Sequence, residues 1–168
     1  MTVTSVQKDP DALTMTMTAE FDASPERVWQ LWADPRQLER WWGPPTYPAT
    51  IDSHDLRVGG RVDYHMTGPE GDQPRGYWEI SEADAPRSLA FLDGFANDDL
   101  THNTNLPTTE ARVKIEEIAR GRTRMVIDSI FPSTEAMEQL IKMDMEEGFT
   151  LALGQIDGIL AEDAVPQR

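Results

Sequence analysis

Phe21-Asp22-Ala23-Ser24-Pro25-Glu26-Arg27-Val28-Trp29 is a junction at which a strand ends and a helix begins. Ser24 offers an N-cap oxygen, Pro25 fills the first helical position, and Glu26 places an early acid at the positive end of the helix. Upstream, residues 13–21 alternate apolar and polar side chains and are rich in threonine, which predicts a half-buried strand. Downstream, Val28, Leu31 and Trp32 share one helical face. Asp34-Pro35 stops this helix and starts a second, whose apolar positions are Leu38, Trp41 and Trp42 and which Gly43-Pro44-Pro45 closes.

From Tyr47 to Phe131 the pattern is strands and turns. Strands are predicted over 49–57, 61–67, 76–83, 88–92, 109–118 and 123–131, punctuated by Val58-Gly59-Gly60, Gly68-Pro69-Glu70-Gly71-Asp72, Asp84-Ala85-Pro86-Arg87 and Arg120-Gly121-Arg122. Pro132-Ser133 then opens one long helix to about Ala161. Its apolar residues Met137, Ile141, Met145, Phe149, Ala152, Ile156 and Leu160 step by three and four. Gly148 and Gly154 each cost this helix about 1 kcal/mol against alanine, so close approach by another element or a bend is expected there. The order strand, two helices, six strands, long helix gives an α+β fold. Its antiparallel sheet has about seven strands, and its helices cover one buried face. A sheet of that length curls, and a curled sheet around a helix encloses a cavity. The domain is assigned to 12–162, with an N-terminal extension at 1–11 and a tail at 163–168.

Composition narrows the function. Thirty acidic residues against fifteen basic ones give the 168-residue chain a net charge of −15 and a pI near 4.4. Nucleic acid and anionic membrane surfaces are poor partners for such a surface, since both draw on clustered Lys and Arg. Strand parity puts acids such as Asp63, Glu116 and Asp128 on solvent-facing positions, where they favour solubility. Without cysteine there is no disulfide framework, thiolate metal site or thiol nucleophile. The N-terminus lacks the profile of a secretory signal, and no apolar run approaches 18 residues, so a cytoplasmic protein is expected.

Several fragments, in order, carry a resemblance. They are residues 21–29, Trp41-Trp42-Gly43-Pro44, Asp55-Leu56-Arg57-Val58-Gly59-Gly60, residues 66–71, Trp78-Glu79-Ile80, Leu89-Ala90-Phe91 and Met145-Glu146-Glu147-Gly148-Phe149. Together they resemble the SRPBCC or START-like superfamily, and within it the bacterial homologues of the heat-shock-protein-90 ATPase activator's C-terminal domain, related to polyketide cyclases. The resemblance covers roughly 12–162. It implies a helix-grip fold with a hydrophobic pocket between the sheet and the long helix. It implies no single activity, because the superfamily includes carriers, receptors, cyclases, dehydratases and co-chaperone domains.

Parity within each strand nominates the pocket walls. Tyr64 and Met66 share an apolar strand face, as do Trp78 with Ile80, Phe91 with Leu89, and Met125, Ile127, Ser129 and Phe131. Trp41, Trp42, Met145, Phe149 and Leu153 complete the walls. An ordinary packed core would read the same way. Among polar candidates, His54 shares parity with Asp52, and the two together could shuttle a proton near neutral pH. A His54 that only meets a backbone carbonyl is the alternative. Asp93 lies two residues beyond Phe91 on the same parity; it either faces the cavity or opens a turn with Gly94. The segment 93–108 is long for a hairpin loop. Phe95 and Leu100 make it a candidate lid, and a solvated loop is the other reading. Its acids and amides do not match a calcium loop, and His54, His65 and His102 sit on different strand parities or in a loop, so a histidine metal site is not expected. No phosphate loop, dinucleotide fingerprint, zinc-protease motif or serine elbow is present, so no cofactor and no metal are expected.

Three functions follow, in order of support. The first is a module that binds a small hydrophobic molecule in the cavity, which needs only apolar walls and a few placed polar groups. The second is a cyclase- or dehydratase-like enzyme using His54 with Asp52 or Asp93. The third is a co-chaperone-like interaction module, for which the short N-terminal extension leaves no room for the activator's additional domain. A monomer and a homodimer are both compatible with the sequence.

Overall fold

The computed structural model describes residues 3–164. Among the described residues, eight strands form one antiparallel sheet: β1 (Val3–Asp9), β2 (Thr14–Phe21), β3 (Ala49–His54), β4 (Arg61–Met66), β5 (Arg75–Asp84), β6 (Ser88–Ala96), β7 (Thr109–Ala119) and β8 (Arg122–Ile130). Their order across the sheet is β1-β2-β8-β7-β6-β5-β4-β3. Two helices, α1 (Pro25–Ala33) and α2 (Pro35–Trp41), follow β2, and α3 (Thr134–Lys142), α4 (Met145–Gly154) and α5 (Ile156–Ala161) follow β8. This is the α+β, helix-grip arrangement.

The helix starts form as their residues dictate. Ser24 Oγ accepts from Arg27 N at 3.2 Å, and Asp34 Oδ1 accepts from Arg36 N at 2.9 Å, so each of the first two helices has a side-chain cap and a proline in its first turn. Strand β2 buries every second residue, Met15, Met17, Ala19 and Phe21, against the helices. Trp32, Trp41 and Trp78 are wholly buried at the centre. The Trp32 and Trp41 rings meet edge-on at 4.8 Å, and Trp78 stacks on Phe91 at 4.1 Å.

Two differences from the sequence reading have physical causes. The extra strand is β1, which lies in the segment read as an extension. Only Val3 and Val6 in it are half-buried, so it lacks the alternation that identifies a strand; it forms because β2 offers an unpaired edge. The long C-terminal helix is interrupted. Asp144 takes a left-handed φ of 62°, which ends one segment and starts the next, and a turn at Gln155 separates α4 from α5. The predicted apolar stripe still runs along all three segments, with Met137, Ala152 and Ile156 buried and Ile141, Met145, Phe149 and Leu160 half-buried. Neither Gly148 nor Gly154 is explained by close approach, because among the described residues a Cβ at either would meet nothing within 4 Å.

Candidate functional site

Between the sheet and the α3–α4 junction lies a cavity of about 280 Å³. Its floor is the inner face of β4, β6, β7 and β8. Its roof is Leu140 and the stretch from Met143 to Phe149, and Trp42 and Pro44 close one side. Nine of the nominated residues line it: Trp42, Tyr64, Met66, Phe91, Phe95, Ile127, Ser129, Met145 and Phe149. Trp42 binds this wall together, with its ring edge-on to Tyr64 at 5.9 Å and to Phe149 at 5.7 Å.

Other nominated residues sit elsewhere. Trp41, Trp78, Met125 and Leu153 belong to the packed core around the cavity. Trp41 Nε1 donates to Leu31 O at 2.9 Å, and Trp32 Nε1 points at Met125 Sδ at 3.3 Å. Phe131, buried just past β8, borders a separate shallow depression with Leu92 and Pro132. Parity showed which residues face inward; it carried no information on which inward residues leave empty space beside them.

The His54–Asp52 pair does not form. The register of β3 against β4 slips between Ile51 and Ser53, a bulge that sends Asp52 and Ser53 away from the interior and breaks the parity linking Asp52 to His54. His54 Nε2 lies 3.0 Å from Trp32 O and does not reach the cavity. Asp52 instead accepts from His65 Nδ1 at 2.8 Å and from Arg75 at 3.3 Å on the outer side of the sheet. Among the described residues, no group of three or more His, Asp or Glu is arranged to hold a metal ion.

Asp93 does face the cavity. Strand β6 runs on to Ala96, so Asp93-Gly94 is mid-strand and not a turn. The glycine is required by volume: a Cβ on Gly94 would lie 2.5 Å from the Tyr77 hydroxyl end on the outer face. Gly76 plays the same part on the inner face, where a Cβ would lie 2.3 Å from the Tyr64 oxygen. Tyr64 therefore reaches flat across β5, and its hydroxyl donates to Asp93 Oδ1 at 2.9 Å. Burial lifts the Asp93 carboxyl to about 7, against a smaller opposing effect of the Tyr64 hydrogen bond. Burial and the facing Asp93 push the Tyr64 phenol well above its ordinary range. The sequence reading missed Thr109, Ala111, Pro107, Leu140, Met143 and Asp144, which also line the space. Thr109 was within reach of sequence reasoning, being an inward-parity residue at the start of its strand. Leu100 is no part of a lid: it is exposed, and its carbonyl accepts from Arg61 at 2.8 Å.

The family model for Activator of Hsp90 ATPase homolog 1-like protein matches residues 22–161. The chain belongs to that family. A Mycobacterium smegmatis protein, Ms6760, whose crystal structure is known, is 50% identical with a TM-score of 0.86, covering 94% of this chain and 96% of that one. An Arthrobacter aurescens protein solved by NMR is also 50% identical, with a TM-score of 0.92 over 96% of this chain and 93% of its own. CalU16 from Micromonospora echinospora shares the fold alone, at 18% identity and a TM-score of 0.55 over 85% of this chain and 73% of that one. No curated protein is significantly similar in sequence. Among the described residues, no helix is long and apolar enough to cross a membrane.

Proposed function

We propose that this family member binds a small, largely hydrophobic molecule in the cavity between the sheet and the α3–α4 junction. The observation that carries the reading is the cavity itself: about 280 Å³ of space walled by Trp42, Phe91, Phe95, Ile127 and Phe149, with a few polar groups on one wall. The pocket is open on one side and apolar within, so a small molecule could enter and be largely covered. Ligand sites are mostly apolar with a few placed polar groups, as here. A proton shuttle at His54 has no geometric support, since the imidazole is engaged with a backbone carbonyl outside the cavity.

Titration with Nile red, a neutral environment-sensitive dye, tests the reading alongside native mass spectrometry of protein purified from its own host. Ala111 borders the space, so Ala111→Phe fills part of it. The wild type is expected to bind the dye and to carry a small-molecule adduct, and the variant to lose at least tenfold in dye affinity while keeping its circular dichroism. Equal dye binding by both proteins would place the dye elsewhere and overturn the proposal.

A further inference from the structure

Asp93 brings a carboxyl group into a cavity that, among the described residues, is lined by no Lys, Arg or His. Tyr64 satisfies its Oδ1, and no protein group hydrogen-bonds Oδ2 among the described residues. Thr109, the register partner of Asp93 on β7, and Ser129 on β8 add hydroxyls to the same wall. A second carboxyl, that of Asp144, stands at the roof and makes no capping hydrogen bond to its helix. The aromatic rings of Trp42, Tyr64, Phe91, Phe95 and Phe149 line the same pocket.

These groups discriminate among ligands by charge. Beside Asp93 an anionic headgroup would meet no cationic side chain among the described residues, only the unpaired indole N–H of Trp42, in a protein already at −15. A purely apolar ligand would leave Asp93 Oδ2 buried without a partner. A protonated amine supplies the missing counter-charge and the hydrogen-bond donors, and the negative faces of the rings attract it as well. We propose that the occupant is a lipophilic organic cation, an apolar body bearing one protonated amine that pairs with Asp93. This rests on the cavity being a ligand site, as proposed above.

The pairing has a pH signature. The titratable groups around Asp93 are Tyr64 on β4, Asp144 at the start of α4 and, through the sheet, Tyr77 on β5. Both phenols are shifted upward and stay neutral between pH 6 and 8. Asp93 changes charge in that interval, titrating at about 7. An amine of ordinary basicity remains protonated throughout, so its binding follows the ionisation of Asp93 and strengthens as pH rises.

Isothermal titration calorimetry with three probes of one shape, 2-naphthylmethylamine, 2-naphthylmethanol and 2-naphthoate, tests this on the wild-type protein. At pH 8 the amine is expected to bind at least tenfold more tightly than the alcohol, with the acid weakest. Lowering the pH to 6 should weaken the amine about tenfold and leave the alcohol unchanged, given a carboxyl titrating at about 7. Asp93→Asn should erase the preference for the amine over the alcohol. The wild-type comparison stands without the variant. An alcohol or acid that matches the amine at pH 8 overturns the charge assignment but leaves the cavity as a binding site. If none of the three binds, the cavity reading fails and this inference fails with it.

Discussion

Burial in the cavity wall raises the Asp93 carboxyl to about 7, although the Tyr64 hydroxyl hydrogen-bonds its charged form and pulls the other way. In the unfolded chain the same group titrates near its ordinary value of 3.8. Between those values the folded protein holds a proton that the unfolded chain has released, so stability from this group falls as pH rises through the window. It is complete below about 4 and gone above about 7. Asp93→Asn removes the dependence. Thermal melts should show the variant's melting temperature gaining on the wild type's between pH 5 and pH 8, at about 2–4 °C per kcal/mol for a chain of this size. A constant difference across that range would contradict the assignment. Side-chain direction was legible in the sequence wherever a strand stayed regular, as for Tyr64, Met66, Phe91 and Ile127. It failed at His54 because a bulge has no reliable sequence mark, and it left Asp93 undecided because Asp-Gly usually signals a turn.

The helical elements were legible from their caps and stripes. Ser133, for example, accepts from Ala136 N at 3.0 Å and starts α3 where the sequence places it. That cap holds the segment whose far end, at Leu140 and Met143, roofs the cavity. Ser133→Ala should cost about 1 kcal/mol. It would be read as a lower urea midpoint with an unchanged m-value, and Ser133→Asp should restore most of the loss. An unchanged midpoint for Ser133→Ala would mean that packing alone fixes the start of α3. The break at Asp144 was not legible, because an apolar period of three and four continues across it and a lone aspartate in left-handed geometry leaves no trace in that period. The outermost strand β1 was missed for the opposite reason, having too little burial to impose a pattern.

At the scale of the molecule, the element order and the ordered motifs identified the architecture, while the cavity appears only once side chains are packed in three dimensions. The surplus of acids lies largely outside that interior and repels itself. Many of the basic side chains are already engaged in exposed ion pairs, such as Lys8 with Glu146 and Arg112 with Glu110, and pairs of that kind contribute little individually. Screening should therefore relieve more repulsion than it removes attraction. Raising sodium chloride from 20 to 500 mM is expected to increase the melting temperature by several degrees; a decrease would show that the ion pairs outweigh the net charge. The two tyrosine–glycine contacts carry a further consequence. Tyr64 lies over Gly76 and Tyr77 over Gly94, each on a neighbouring strand and on opposite faces of the sheet. A slip of β4 along β5, or of β5 along β6, would drive a tyrosine ring into a side chain in place of the vacant Cβ position. Each ring thus acts as a key that only one alignment accepts, and the two keys penalise mispaired sheets during folding by steric exclusion.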